Sequence, residues 1–138
     1  MSPHKTTKLF VYGILKKGFA LDLTQRGVPF FHTAHLPEAS LYRIHSGVGM
    51  RLDRDPLREG VYGEIFELEN HAHLWDWLDR IEGVAHGVYD RKLVFPETNL
   101  GDAQHRDVQA IPCWAYEHVM FPSDWYNEDR LITTGRFE

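Results

Sequence analysis

Apolar and β-branched residues recur along the chain in short runs that are separated by glycine, proline and polar clusters. Residues 8–12 form an apolar run that ends at Gly13, which is typical of a buried strand. Residues 61–68 alternate between the two faces of a strand. Further strands are predicted over residues 30–44, 88–95 and 108–119, which are rich in β-branched and aromatic residues.

Residues 70–82 have the period of an amphipathic helix. Asn70 is a favourable N-cap residue, and Gly83 stands where a left-handed C-terminal cap is expected. The apolar stripe consists of Leu74, Trp77, Leu78 and Ile81. Many strands with one clear helix predict an α+β domain whose sheet is antiparallel or mixed. The pattern does not show whether that sheet closes into a barrel.

Length and composition are those of one folded domain spanning residues 1–138. The chain is 43% hydrophobic and 25% charged, which is typical of a globular protein and not of a disordered one. Its 20 acidic and 15 basic side chains give a formal net charge of −5. Such a surface repels phosphate backbones, so nucleic acid is not expected as a partner.

The single cysteine, Cys113, excludes an intrachain disulfide and a multi-cysteine zinc site, and its apolar surroundings predict a buried, inert thiol. Residues 1–8 lack the apolar core of a signal peptide, and the run 9–12 is far shorter than the ~20 residues that span a bilayer. We therefore expect a cytoplasmic protein without membrane association. The nine histidines lack the spacing of metal ligands, so no metal or other cofactor is expected.

Glu82 is the most interesting acidic residue of the predicted helix. It follows Leu78 by four positions, which places it at the edge of the apolar stripe and in the last helical turn. Burial and the negative end of the helix dipole would both raise the pKa of its carboxyl group towards the range of a general acid/base. From the pattern alone, a solvated glutamate at a helix end is the commoner outcome. Asp76, Asp79 and Glu82 also leave open a glycosidase with paired carboxylates.

A glycine loop follows the first strand. Residues 12–18 (Tyr-Gly-Ile-Leu-Lys-Lys-Gly) begin with the glycine spacing of a P-loop, but Phe19 and Ala20 replace its Lys-Ser/Thr pair. Gly47 and Gly49 lack the third glycine of a dinucleotide fingerprint. Nucleotide phosphates are therefore unexpected, and the backbone N–H groups of the loop suit a carboxylate better. An ordinary glycine turn explains the same residues.

Two separated blocks resemble the γ-glutamylcyclotransferase-like family. Residues 11–15 (Val-Tyr-Gly-Ile-Leu) are similar to its Tyr-Gly-(Ser/Thr)-Leu opening. Residues 78–83 (Leu-Asp-Arg-Ile-Glu-Gly) and 87–91 (Gly-Val-Tyr-Asp-Arg) are similar to its Leu-Asp-x-x-Glu-Gly…Tyr-x-Arg block. The segments 62–66 and 114–116 look like two further strands of that family. Order and spacing match from about residue 9 to residue 116.

This resemblance implies a small mixed or antiparallel β-barrel with flanking helices and a cavity at one end. It implies that Glu82 is the catalytic carboxylate and that the γ-glutamyl group of a small-molecule substrate is held by a loop, here Tyr12, Gly13, Ile14 and Leu15. Tyr89 and Tyr116 would help to line the site. Arg91 would contact ligand or brace the sheet, and we favour bracing.

The resemblance also implies an activity, the intramolecular aminolysis of a γ-glutamyl amide, which releases 5-oxoproline and an amine or amino acid. Ile14 departs from the family's Ser or Thr, and residues 48–51 (Val-Gly-Met-Arg) stand near the usual Tyr-Pro segment. Both departures bear on substrate identity more than on fold. A non-catalytic binding or interaction module with the same pocket is the alternative.

Overall fold

The computed structural model describes residues 5–45, 47–53, 55 and 58–137. It contains nine strands of one sheet, β1 (Lys8–Val11), β2 (Phe30–Leu36), β3 (Ala39–Ile44), β4 (Gly47–Leu52), β5 (Val61–Glu67), β6 (Tyr89–Val94), β7 (Glu97–Asn99), β8 (Val108–Ala110) and β9 (Cys113–His118). One α-helix, α1 (Leu74–Ile81), lies between β5 and β6. Short 3₁₀ turns occupy Leu23–Arg26, Val84–His86 and Ser123–Trp125. No helix in these ranges has the length and apolarity needed to cross a bilayer.

The sheet is mixed and open. Its order is β3-β4-β9-β1-β5-β2-β7-β8, with β6 also paired to β9. The β1·β9 and β4·β9 pairs are parallel and the others are antiparallel. The predicted α+β class is confirmed, but the predicted barrel is wrong because β3 and β8 stand at the two ends of the order. Every residue of β8 is exposed, so this strand forms a solvated edge and offers no apolar face for closure.

Strand β9 is where the sheet forks. Strand β6 pairs with β9 along its whole length, from Tyr89 opposite His118 to Val94 opposite Cys113. Strands β1 and β4 must therefore share the other edge of β9, β1 at Trp114 and β4 further along at Glu117. The two strands diverge between these points and leave a gap at the end of β1.

Two apolar clusters cover the two faces of the sheet. Alternation along β1 sends Leu9 and Val11 to one cluster and Phe10 and Tyr12 to the other. The first cluster also contains Leu74 and Leu78 of α1, the apolar side of which lies against the sheet. All six side chains are at most 7% exposed, so β1 is buried on both faces, as its continuous apolar run predicts.

The predicted helix is shorter at its start than its periodicity indicates. The segment before α1 forms successive turns, in which Leu74 N donates to His71 O, so Asn70 is not the N-cap. The predicted end is confirmed, because Gly83 adopts the left-handed conformation with φ of +65°. This turn leaves Glu82 as the last residue before the chain changes direction.

Strand boundaries differ from the prediction where proline interrupts an apolar stretch. The stretch 30–44 is two strands joined by a turn at Pro37 and Glu38, and 108–119 is two strands separated by Ile111 and Pro112. Proline lacks the N–H group that a sheet interior requires, which explains both breaks. Strands β4 and β7 were missed, because the first contains two glycines and the second has only three residues.

Substitution of Gly83 by alanine should destabilise the fold more than the same change at Gly87. Both glycines have positive φ, +65° and +71°, which costs an alanine about 1–2 kcal/mol. A Cβ atom at Gly83 would also lie 3.0 Å from Val88 Cγ2, whereas one at Gly87 meets open space. We expect Gly83→Ala to lower the free energy of unfolding in urea by about 1 kcal/mol more than Gly87→Ala. Equal losses would show that Val88 does not constrain this turn.

Candidate active site

A cavity of about 140 Å³ opens where the loop after β1 approaches the end of α1. Its wall includes all seven residues singled out from the sequence, namely Tyr12, Gly13, Ile14, Leu15, Glu82, Tyr89 and Tyr116. They come from four parts of the chain: the end of β1 and its loop, the end of α1, β6 and β9. A wider cleft of about 680 Å³ between β2, β5 and β7 contains none of them.

Among the described residues, Glu82 is the only one that contributes a carboxyl group to this wall. Its backbone N–H donates to Leu78 O over 3.0 Å, which holds it as the C-terminal cap of α1. No donor in the described part of the chain hydrogen-bonds its carboxylate. Burial raises the pKa of this carboxyl group from 4.5 to about 7, so acid and carboxylate forms coexist at neutral pH.

The loop opposite Glu82 is fixed through its carbonyl groups. Gly13 O accepts from Lys16 N over 3.0 Å, Ile14 O from Leu21 N over 2.8 Å, and Leu15 O from Leu23 N over 3.2 Å. The C=O and N–H groups of a trans peptide point in opposite directions, so the N–H groups of Ile14 and Leu15 point away from these contacts.

The same loop residues leave their backbone donors unpaired. The N–H groups of Gly13, Ile14 and Leu15 meet no hydrogen-bond acceptor among the residues that the structure describes. Consecutive backbone donors of this kind are suited to an anionic or developing oxyanionic group, and all three residues belong to the cavity wall. The replacement of Ser or Thr by Ile14 does not affect these donors, since they belong to the backbone.

The three tyrosine hydroxyls have partners within the protein. Tyr12 Oη donates to Tyr116 O over 2.6 Å and accepts from Met50 N over 3.2 Å. Tyr89 Oη donates to Val48 O over 2.8 Å, and Tyr116 Oη donates to Asp79 Oδ1 over 2.6 Å. Burial raises the pKa of all three phenols, and the nearby Glu82 charge adds to the effect. The tyrosines therefore shape the wall as neutral groups, and of these four side chains only Glu82 has a pKa near neutral pH.

Arg91 braces the sheet beside the cavity. Its Nη1 lies 3.6 Å from Asp79 Oδ1, and its guanidinium lies over the Trp75 ring at 4.8 Å. Asp79 thus joins Arg91 on β6 to the Tyr116 hydroxyl on β9. Arg91 is not part of the cavity wall, and these contacts join β6 to α1.

The glycosidase alternative requires a second carboxylate that faces Glu82 across the cavity. Glu82 is the only acidic residue on the wall within the described ranges. Asp79 is engaged by Tyr116 and Arg91, and Asp76 is exposed on the helix. The described residues therefore do not supply the paired geometry of a glycosidase.

Besides Phe10 and Val11 of the first strand, sequence reasoning missed Leu21, Val48 and Ile81 as apolar residues of the cavity wall. Of these last three, only Ile81 gave a signal, as the last member of the helical stripe. Val48 lies on a strand that was not predicted, between two glycines. Gly49 is needed there because a Cβ atom would lie 2.7 Å from His118 Cβ. Gly49 thus reflects the close approach of β4 to β9, whereas a Cβ atom at Gly47 would meet open space and the φ of +145° there favours glycine.

The C-terminal segment contacts the far side of the glycine loop. Phe137 packs against Phe19 with ring centroids 5.2 Å apart, and Lys16 Nζ donates to Phe137 O over 2.9 Å. Arg136 lies over the Tyr62 ring at 3.8 Å. The tail therefore packs against the sheet and supports the loop from behind, without forming part of the cavity wall.

Glu82→Gln should stabilise the fold at neutral and alkaline pH. The folded pKa near 7 lies above the ordinary 4.5, so the folded state loses stability as pH rises through this interval and does not regain it above pH 7. The neutral amide avoids this cost. At pH 8 we expect the variant to be roughly 1–3 kcal/mol more stable than wild type in urea unfolding, with no such gain at pH 4. The exposed Glu69→Gln is the control and should change stability by less than about 0.5 kcal/mol.

The same fold occurs in several solved structures. A mouse AIG2-like protein shares 20% identity with a TM-score of 0.69, over 98% of this chain and 90% of that one. An uncharacterized Pyrococcus horikoshii protein shares 20% identity with a TM-score of 0.62, over 96% and 90%. A structure described as gamma-glutamyl cyclotransferase shares 20% identity with a TM-score of 0.61, over 86% and 72%. No curated protein sequence matches the chain. The family model "Gamma-glutamyl cyclotransferase, AIG2-like" matches residues 9–138, which include both the glycine loop and Glu82, and the chain therefore belongs to that family.

Proposed function

We propose that this protein is a γ-glutamylcyclotransferase-type enzyme that converts a γ-glutamyl amide into 5-oxoproline and a free amine or amino acid. The observation that carries the proposal is the Glu82 carboxyl group, with its pKa near 7, in the same cavity as Gly13, Ile14 and Leu15. Among the described residues, neither this carboxyl group nor the backbone N–H groups of those three residues has a hydrogen-bond partner. Membership of the family supports this chemistry.

The γ-glutamyl group is a zwitterion whose two charges match these two features. Its α-carboxylate, or the oxyanion that develops on the γ-carbonyl, would accept hydrogen bonds from the loop N–H groups. Its α-ammonium would lie against Glu82. Nucleophile and electrophile already belong to one molecule, so the main task of the site is to select the folded-back conformer in which they meet.

One carboxylate then suffices for the proton transfers. Glu82 takes a proton from the α-ammonium, and the free amine attacks the γ-carbonyl carbon to close a five-membered ring. Glu82 returns this proton to the leaving nitrogen as the bond between that nitrogen and the γ-carbon breaks. The ring nitrogen, which is still positively charged after the attack, gives a second proton through Glu82 to the released amine, which leaves as an ammonium ion. A group with a pKa near 7 is well placed for both steps at neutral pH. Tyr12, Tyr89 and Tyr116 would exclude water from the ring-closing conformer.

Residues 1–138 act as one unit, the partner is a small γ-glutamyl molecule and not nucleic acid or membrane, and the reaction proceeds in the cytoplasm without metal or organic cofactor. A non-catalytic module would bind γ-glutamyl compounds in the same cavity without turnover. Measurement of 5-oxoproline release distinguishes the enzyme from the binding module, because the module would be stabilised by the ligand and would release no product.

Glu82→Gln should abolish most of the activity. The amide keeps the size of the side chain but cannot accept and return a proton, so kcat for 5-oxoproline release should fall by about 10²–10⁴-fold. The assay uses a panel of γ-glutamyl substrates with the wild type, Glu82→Gln and the exposed control Glu69→Gln, which should retain wild-type rates. A folded Glu82→Gln protein with full activity would contradict the assignment.

The pH profile should report the ionisation of Glu82. Below pH 7 the carboxyl group is mostly protonated and cannot take the ammonium proton, so kcat/KM should rise with pH and level off above an inflection near 7. Glu69→Gln should keep this inflection. A profile of wild type whose acidic limb lies at pH 4–5, the range of an ordinary glutamate, would exclude Glu82 in its raised-pKa form as the base.

A further inference from the structure

Asp79 links the last turn of α1 to two strands of the sheet. Tyr116 Oη on β9 donates to Asp79 Oδ1 over 2.6 Å, and Arg91 Nη1 on β6 lies 3.6 Å from the same oxygen. Tyr116 belongs to the cavity wall, whereas Asp79 and Arg91 do not. Asp79 therefore lies outside the cavity and affects it only through the helix and the Tyr116 side chain.

The last turn of α1 has few other attachments to the rest of the protein. The buried side chains of the helix, Leu74 and Leu78, lie before this turn. Of residues 79–82, only Asp79 forms a side-chain hydrogen bond or ion pair with another residue that the structure describes. Glu82 follows Asp79 by three positions, so the two are neighbours on the helix surface. A contact that holds Asp79 thus also holds Glu82.

The Tyr116 hydroxyl is committed to this contact. A phenol has a single O–H to donate, and Tyr116 gives it to Asp79. The hydroxyl therefore cannot donate to a bound substrate while this hydrogen bond is intact. Its contribution to the site is to fix the ring of Tyr116 on the wall and the end of α1 against β9.

We infer that Asp79 is a positioning residue of the reaction, which through its hydrogen bond from Tyr116 holds the Glu82 carboxylate at a fixed place opposite the glycine loop. This inference rests on the proposed function and adds to it a residue that does not touch the substrate. A displacement of about 1 Å between reacting groups costs on the order of 10²-fold in rate. Arg91 offsets the charge of Asp79, so the link brings little net negative charge towards Glu82.

Removal of either partner of the hydrogen bond should lower kcat for 5-oxoproline release. We expect a fall of roughly 10- to 100-fold in Asp79→Ala and in Tyr116→Phe, with KM close to that of wild type, because the cavity wall keeps its lining. Asp79→Asn keeps an oxygen that accepts from Tyr116 and should retain most of kcat. Asp76→Ala is the matched control, since Asp76 is exposed one turn earlier on α1, and it should keep wild-type kcat.

A double-mutant cycle tests whether Asp79 and Tyr116 act together. Once one partner is absent, the other has no hydrogen bond to lose. The double variant Asp79→Ala/Tyr116→Phe should therefore have about the same kcat as either single variant. Urea unfolding of each variant confirms that the chains compared are folded.

The pH profile of Tyr116→Phe gives a reading that general destabilisation would not change. This substitution alters no charge, and the other titratable side chains on the wall, Tyr12 and Tyr89, have raised pKa values and stay neutral. Burial holds the pKa of Glu82 at about 7, so a less constrained helix end exposes the carboxyl group and lowers its pKa towards 4.5. The acidic inflection of kcat/KM should therefore lie lower in Tyr116→Phe than in wild type.

The outcomes distinguish the inference from the function on which it rests. Wild-type kcat in Asp79→Ala and Tyr116→Phe, a loss in Asp79→Asn as large as in Asp79→Ala, or losses that multiply in the double variant would each overturn the inference and leave the cyclotransferase function standing. An unshifted inflection in Tyr116→Phe would do the same. Absence of 5-oxoproline from every substrate with the wild-type protein would overturn the proposed function and the inference with it.

Discussion

The hydroxyl of Tyr12 holds together the point at which the sheet forks. Strands β1 and β4 share one edge of β9 and separate near Tyr116, and the Tyr12 phenol bridges the gap by donating to Tyr116 O and accepting from Met50 N. The ring is only 7% exposed, so both hydrogen bonds lie in an apolar environment where a lost partner is costly. Because Tyr12 is also the first residue of the glycine loop, this contact sets where the loop begins and so where the cavity lies.

The cavity presents two kinds of polar group that lack a hydrogen-bond partner among the described residues, a carboxyl group and backbone N–H groups. Glu82 is largely withdrawn from water, and its carboxylate meets no hydrogen-bond donor among the described residues. The N–H groups of the loop facing it meet no acceptor there either. The burial of the Glu82 carboxylate costs free energy in the absence of a ligand. In the proposed function, the γ-glutamyl zwitterion would satisfy both, with its cation on the carboxylate and its anion on the amides.

The features predicted well from sequence are those set by neighbours along the chain. The two buried faces of β1, the left-handed turn at Gly83 and the position of Glu82 at the helix end all follow from periodicity and local conformational preference. The glycine loop and the helix end lie about 65 residues apart in sequence, and only the resemblance joined them; the structure places them on one cavity wall.

The features predicted wrongly from the sequence are those that depend on pairing between segments distant along the chain. The sheet stays open because β8 is an exposed strand at the end of the order. The periodicity of residues within a single strand does not show whether that strand will be an edge. Strand β4 pairs with β3 along its whole length, and Gly49 lets it approach His118 on β9, so its two glycines make a paired strand look like a loop in the sequence. Leu21 and Val48 became visible as cavity residues only when the fold brought them to Glu82.

The reactivity of the Cys113 thiol reports how often the sheet opens at β9. It is the one cysteine of the sequence, it begins β9 next to the fork, and it is 0% exposed. Burial raises the pKa of its thiol to about 12, so the thiolate that reacts with alkylating reagents is nearly absent in the folded state. Modification of the native chain must therefore wait until β9 parts from its neighbours. The rate of that modification measures how often the most buried strand opens, with no engineered label, and a ligand that tightens the fork would slow it.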